Sequence, residues 1–490
     1  MAQKSKVELL RSIKADALKR DGSEQKKEGK MTARERINEL FDQGTFVEVG
    51  ALVRGKTASM EDALNVSTEG VVTGYGSVDG RLVFAYVQDM TVLNGAVTVM
   101  QAKKIVRIME LAKKAGAVLI SIIDCGGGYL EEGIDLINAY SDIMTKSMEI
   151  KSAVPQIAVV AGYCTGVSAM LAQINDIVIM AEKNAKMYLQ AGQCFGITDE
   201  SFGDAKSAME NGIAHLTAET DKDAIKVAKD VLAFLPDNLL SEPFAEVCED
   251  DVNRGCAVAS AMSESAEYDA HAVVADIADS GSVLELKKDY AKEAYTAFAR
   301  MDGKVVGFVL NNPMENEGAL TVSSMSKIEE FVNLCDGLNI PVITIVNTVG
   351  YSFCPKQTKA VMDGAVSLNA VYKSAEIPKI TIIAGKAYGS AYLTMGNGTL
   401  SSDVAFALPN AEISVINPAG GADMFFADTI KGAKDPYIGR KLAEDKFKSI
   451  YNNPYVAAAK GLVDDVVDPA DLRPLLVTTL DMLASKLDME

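Results

Sequence analysis

Short, unbroken runs of aliphatic and β-branched residues recur along this chain. They are LVFAYV (82–87), VLISIID (118–124) and QIAVVAG (156–162), then VVGFVL (305–310), PVITIVN (341–347) and KITIIAG (379–385). Helix-compatible stretches separate them. Runs with no polar alternation belong to strands covered on both faces, so the pattern predicts largely parallel pairing in an α/β fold of βαβ type. The runs also repeat. VPQIAVVAGYCTGVSAM (154–170) aligns with IPKITIIAGKAYGSAYL (377–393), IIDCGGGY (122–129) with IVNTVGYS (345–352), and GRLVFAYVQD (80–89) with GKVVGFVLNN (303–312). All three pairs share one offset of 223 residues. Beyond them the offset drifts, pairing NDIVIMAEKNAKM with SDVAFALPNAEIS and NGIAHL with AKGLVDDVV. The chain therefore reads as a duplicated domain, residues 1–245 and 246–490. Residues 240–300 show no strand pattern and read as the connection between the halves.

Composition narrows the function. A chain of 490 residues exceeds what one core supports, since single cores stop growing near about 250–300 residues. With 48 Lys+Arg against 67 Asp+Glu, the net charge of −19 repels polyanions, so nucleic acid and anionic membranes are not expected as general partners. No stretch approaches the roughly 18 uninterrupted apolar residues of a membrane span. The charged N-terminal segment has no apolar core of a secretory leader. Seven cysteines, at 125, 164, 194, 248, 256, 335 and 354, are odd in number and form no CxxC pair. Reduced thiols in a cytoplasm are expected. Two histidines, His215 and His271, leave His-based triads and metal sites almost nothing to use.

The glycine-rich strand ends are the candidate chemistry. GYCTGVSAM (162–170) and GKAYGSAYL (385–393) each follow a buried strand and lead into an apolar helix-compatible stretch; DCGGGYLEEG (124–133) is a further strand end. A strand, glycine turn and helix start expose N–H groups with no intrahelical acceptor, and the helix dipole adds positive character there. Such a site suits an oxyanion; tight turns in an α/β core are the plainer alternative. GGG at 126–128 does not satisfy GxGxxG, and no GxxxxGK[ST] is present, which removes the Rossmann and P-loop readings. Side chains offer less. Asp124, Glu131 and Glu132 are possible acid/base groups, the two glutamates fitting a solvated helix start better. Cys125 and Cys164 lack a partnered base. His215 fits packing, the 21 methionines fit core filling, and Lys386 is open to an anion or to nothing.

These residues resemble a known family. GKMTARERINELFDQGTFVEV (29–49), STEGVVTGYGSVDGRLVFAYVQD (67–89), the DCGGG and GYCTG loops and FLPDN (234–238) resemble the first half of the acyl-CoA carboxyltransferases. VVGFVLNNP (305–313), NIPVITIVNTVGY (339–351), IPKITIIAGKAYGSAY, LPNAEISVI (408–416) and NPYVAAAKGLVDDVVDP (453–469) resemble their second half. Members include propionyl-CoA carboxylase β subunits and methylmalonyl-CoA decarboxylase carboxyltransferase subunits. The resemblance implies two crotonase-like domains of ββα superhelix type, residues 1–245 on the acyl-CoA side and 246–490 on the biotin side. It implies a carboxyl group passing between the ureido nitrogen of biotin and the α-carbon of a short acyl-CoA, with no metal and no need of histidine. By motif, Gly166 and Val167 would steady the thioester enolate, with Gly126, Gly127, Gly128 and Thr165 along the acyl-CoA path. Ser390 and Ala391 would steady the ureido oxygen, with Tyr388, Gly389, Leu393 and Gly350 around biotin. The expected partners are a biotin carboxyl carrier protein, a biotin carboxylase or membrane decarboxylase subunit, and further copies in a homohexamer built as a trimer of dimers.

The chain also departs from the family pattern. DSGGARIQEG becomes DCGGGYLEEG, GPCAGGA becomes GYCTGVS, DxPGFLPG becomes NTVGYSFC, and AYGGAYD becomes AYGSAYL. Replacing glycine by Val167 or Ser390 keeps the N–H donor where φ is negative. Leu393 in place of an acidic residue predicts a more apolar pocket. The sequence is also compatible with a divergent non-catalytic scaffold subunit, and with a crotonase-type hydratase or isomerase using Glu131 and Glu132.

Overall fold

A computed structural model describes residues 5–18, 21–55, 68–199, 201–262, 265, 267–352, 355–398 and 400–486, so Cys354 lies outside the described residues. The chain divides into two compact units, Met1–Glu242 and Pro243–Glu490, each on its own eight-stranded sheet. The first unit contains β1 (Val47–Glu48), β2 (Val71–Val78), β3 (Arg81–Gln88), β4 (Val118–Cys125), β5 (Gln156–Thr165), β6 (Ile177–Ala181), β7 (Lys186–Tyr188) and β8 (Leu216–Ala218). Their order is β1-β2-β3-β4-β5-β6-β8, with β7 paired to the end of β5. The second contains β9 (Leu284–Glu285), β10 (Ala294–Met301), β11 (Lys304–Asn311), β12 (Val342–Thr348), β13 (Lys379–Tyr388), β14 (Val404–Ala407), β15 (Glu412–Ser414) and β16 (Asp465–Val466). Here the order is β16-β14-β13-β12-β11-β10-β9, with β15 on the end of β13. In each sheet the first three strands pair antiparallel and the others are parallel.

The helices that shape the sites are α1 (Ala33–Leu40), α2 (Val99–Ala115), α3 (Asp135–Lys151), α4 (Val167–Ile174) and α5 (Asp221–Leu232) in the first unit. Their counterparts in the second are α6 (Val322–Gly337), α7 (Thr358–Ser374) and α8 (Gly389–Thr394). Local chemistry sets their ends. The Thr98 hydroxyl accepts the Gln101 N–H at 2.9 Å to start α2, and Gly116 closes it at φ 60. Thr321, 223 residues on, starts α6 through a capping box with Ser324. The same spacing relates β2 to β10, β3 to β11, β5 to β13 and α3 to α7 residue for residue. Every residue of β4 is buried, which explains a run without alternation.

One expectation is corrected. Residues 240–300 are not only a connection: β9 and all but the last residue of β10 lie within them, and β10 is fully buried between β11 and the short edge strand β9. Its sequence, AYTAFARM, carries little β-branched character, so its place in the sheet comes from pairing with β11 along its whole length.

The ladder breaks at equivalent places. Ile123 pairs with Val160, but the next partners are Cys125 and Cys164; in the second unit Val346 pairs with Ile383 and then Thr348 with Ala387. The extra residues include Gly162 and Gly385. A Cβ on Gly162 would sit 2.0 Å from Asp124 Oδ1, and one on Gly385 would sit 2.5 Å from Asn347 Oδ1. Gly162→Ala therefore forces a buried carboxylate to move, and it is expected to cost about 3 kcal/mol. A denaturant titration reads this directly, and an unchanged midpoint would contradict the packing described.

Candidate active site

In the first unit, β4 runs into Gly126–Gly128 and β5 into Gly166, at the carboxyl ends of adjacent parallel strands. Backbone bonding decides which amides remain as donors. The Gly126 N–H goes to the Asn94 carbonyl at 3.3 Å, and that of Gly127 faces the Cys125 sulfur at 3.4 Å. Gly166 donates to the Tyr188 carbonyl at 3.0 Å, extending the β5–β7 ladder by one residue. Gly166 thus contributes its conformation (φ 61, ψ −128) rather than its N–H, and that conformation swings Val167 into the first position of α4. This leaves the amides of Gly128 and Val167 at the strand ends. The two turns are neighbours, because a Cβ on Gly127 (φ 122) would lie 3.7 Å from Thr165 Oγ1.

The second unit repeats the construction with different walls. Leu320 donates to the Gly350 carbonyl at 2.9 Å, as Val97 donates to that of Gly127 at 2.9 Å. Gly350 (φ 132) donates to Thr348 Oγ1 at 3.3 Å, and nothing lies within 4 Å of where its Cβ would be. Gly389 (φ 54) turns β13 into α8, where Ser390 and the buried Ala391 fall in the first turn. Tyr388 points elsewhere. Its hydroxyl is held by Glu412, which Lys448 pairs at 2.6 Å, and burial pushes the phenol well above its usual range. Leu393 on α8 is 47% exposed, free to line a pocket. Sequence reasoning missed Tyr351. Its hydroxyl donates to the Ser390 carbonyl at 3.1 Å and lies 2.7 Å from Thr394 Oγ1, tying the Gly350 turn to α8. The available signal was its alignment with Gly128 in the repeat.

The side chains near these turns are committed elsewhere. Burial raises the thiols of Cys125 and Cys164, so neither offers the thiolate a nucleophile needs. His215 is buried, its Nδ1 accepting the Val178 N–H at 3.1 Å. His271 pairs with Glu285 at 3.1 Å. Glu132 accepts the Val99 N–H at 2.7 Å and caps α2, while Glu131 receives the Tyr129 hydroxyl. Both carboxylates of the hydratase reading therefore have structural partners. Lys386 pairs with Glu317 at 3.1 Å, and Asp124 is buried against Arg36 at 3.0 Å. Among the described residues, no group of three or more His, Cys, Asp and Glu side chains could hold a metal ion. What the turns can do chemically is donate backbone hydrogen bonds to an oxygen that gains negative charge.

The carboxyl transferase domain matches residues 24–489. The chain belongs to the carboxyl transferase family. Its two sheets are paired crotonase-like domains, and its activity is biotin-dependent carboxyl transfer to or from an acyl-CoA. It is 37% identical over 473 residues to methylmalonyl-CoA decarboxylase subunit alpha of Propionigenium modestum, covering 94% of this chain and 91% of that one. It is 38% identical over 493 residues to the methylmalonyl-CoA carboxyltransferase 12S subunit of Propionibacterium freudenreichii subsp. shermanii, covering 98% and 94%. The crystal structure of the transcarboxylase 12S hexamer with methylmalonyl-coenzyme A and methylmalonic acid bound matches at a TM-score of 0.92 and 35% identity, covering 99% and 96%. These relatives give no support to the scaffold reading.

In this carboxyl transferase a cleft of about 900 Å³ adjoins the Gly126–Gly128 loop and is lined by Leu93, Val99, Lys103, Tyr129 and Glu132 among others. Glu69, Glu131, Glu132 and Asp135 outnumber Lys103 there, so the cleft is a poor seat for phosphates. No helix among the described residues is long and apolar enough to cross a membrane. Tyr351→Phe deletes the tie between the Gly350 turn and α8. We expect a loss of about 1 kcal/mol in denaturant unfolding; wild-type stability would mean that the hydroxyl contributes nothing there.

Proposed function

We propose that this chain is the carboxyltransferase subunit of a biotin-dependent carboxylase or decarboxylase complex acting on methylmalonyl-CoA or a similar short acyl-CoA in the cytoplasm. One observation carries the reading: the same glycine turn is built twice, and the titratable side chains around both copies are otherwise engaged. Biotin, carried on a separate protein, supplies a ureido nitrogen that gives or takes the carboxyl group. The donor set fits it, since Ser390 and Ala391 present first-turn amides suited to a ureido oxygen. In the first unit the Gly128 and Val167 amides face the thioester oxygen, which becomes negative when the α-carbon loses its carboxyl group or proton. Preorganised N–H donors stabilise that charge without reorganising during the reaction. Gly126, Gly127 and Thr165 shape the acyl-CoA side. Gly389, Gly350 and Leu393 shape the biotin side, and Leu393 favours an apolar acyl group. Tyr388 acts there by holding Gly389 in place.

The family likeness to a hexameric relative supports a homohexamer, with a biotin carrier protein and a biotin carboxylase or membrane decarboxylase subunit as partners.

Val167→Pro tests the donor role. Proline is tolerated at the first position of a helix, so the fold is kept while one N–H is deleted. Methylmalonyl-CoA decarboxylation with added free biotin is expected in the wild type. The variant should be slower by about 10²–10³-fold. Full activity in Val167→Pro would remove that donor, and a well-folded wild type inactive on every acyl-CoA tried would remove the reading itself.

A further inference from the structure

The break in the β4–β5 ladder leaves backbone groups around Gly162 without partners on β4, and a buried arginine and the aspartate it pairs with answer for them. Arg36, on α1, is fully buried. Its Nη2 donates to the Ala161 carbonyl at 3.3 Å and pairs with Asp124 Oδ2 at 3.0 Å, while Nε pairs with Asp221 at 2.9 Å. Asp124 Oδ1 in turn accepts the Tyr163 N–H at 3.2 Å. The guanidinium and the carboxylate thus hold the groups on either side of Gly162, a few residues before Gly166 and Val167. Asp124 also leads directly into Gly126–Gly128. Asp221 completes the frame by accepting the Met31 N–H at 2.9 Å.

The second unit is the internal control. Asn347 stands where Asp124 stands and accepts the Lys386 N–H at 3.0 Å. An amide carries no charge, so this clamp needs no guanidinium. The first unit's carboxylate does need one, because an under-compensated charge at full burial is costly, and the buried Lys30, 3.9 Å from Asp124 Oδ1, is shared with Glu28 at 3.1 Å.

We propose that Arg36 is a positioning residue of the first amide site: by neutralising Asp124 it holds the 126–128 and 162–167 turns in register. The kinetic half of the test rests on the carboxyl-transfer reading; hydrogen exchange does not. Both are measured on the full-length protein, comparing Arg36→Met with a variant whose Arg36–Asp124–Asp221 triad is charge-free, Arg36→Met combined with Asp124→Asn and Asp221→Asn. In Arg36→Met, amide exchange should rise about tenfold at 124–129 and 161–168 with no change at 347–352 and 384–391. Its kcat for methylmalonyl-CoA should fall about tenfold with KM nearly unchanged. The charge-free variant, which copies the second unit's chemistry, should recover both. Unchanged exchange in Arg36→Met, an equal rise in both units, or a charge-free variant as impaired as the single one would overturn the proposal. If Arg36→Met does not fold, the charge-free variant decides: native exchange supports the proposal and an unfolded chain overturns it. If the wild type transfers no carboxyl group, the exchange pattern alone decides.

Discussion

Both sites rest on one constraint, the loss of register between two adjacent parallel strands at their carboxyl ends. Parallel strands covered on both faces must satisfy every backbone group, and the ladder does so until Val160 and Ile383. Past that point extra residues are forced in, glycine is required beside the Asp124 or Asn347 side chain, and the chain must turn sharply into a helix. Sharp turning at Gly166 and Gly389 is what leaves the amides of the next residues pointing away from the sheet. A chemistry that stabilises negative oxygen by backbone donors follows from that geometry.

Duplication gives two such places with one design and different surroundings. Gly128 in the first unit is Tyr351 in the second, Thr165 is Tyr388, and Asp124 is Asn347. The backbone conformation is retained: Gly127 and Gly350 both have φ above 120, and Leu93 and Asn94 share the left-handed region with Asn316 and Glu317. Glycine at 128 keeps the first turn low, with Leu136 pressed against it. Tyrosine at 351 instead reaches across to α8. Two copies of one turn therefore differ in their walls while keeping one backbone design, and the proposed division between a thioester and a cyclic urea needs no new catalytic side chains.

The scarcity of side-chain catalysts is part of the same design. Burial raises the Cys125 and Cys164 thiols, and Glu131, Glu132, Lys386 and both histidines are held by structural partners. Beneath the first site lies a buried charge network in which Arg36 faces Asp124 and Asp221, with Lys30 3.9 Å from Asp124. Such a network orients backbone without presenting an acid or base of its own.

The sequence by itself determined the six continuous apolar strands, the repeat and the glycine turns, because continuous apolar runs, a fixed offset and glycine at strand ends are local signals that need no contact to be read. It carried the family and, with it, the crotonase-like fold. Tertiary structure decided the rest. AYTAFARM took its place as a buried strand through pairing with β11, since it carries one β-branched residue and lacks the continuous aliphatic run that marks the other buried strands. Gly166 lost its N–H to Tyr188 because β7 lies beside β5, a pairing no local pattern announces. Arg36 and Asp124 are 88 positions apart, and Tyr351 and Ser390 are 39 apart. Contacts of that range exist only once the sheet has brought strand ends together, which is why the residues that support the turns were hidden while the turns themselves were legible.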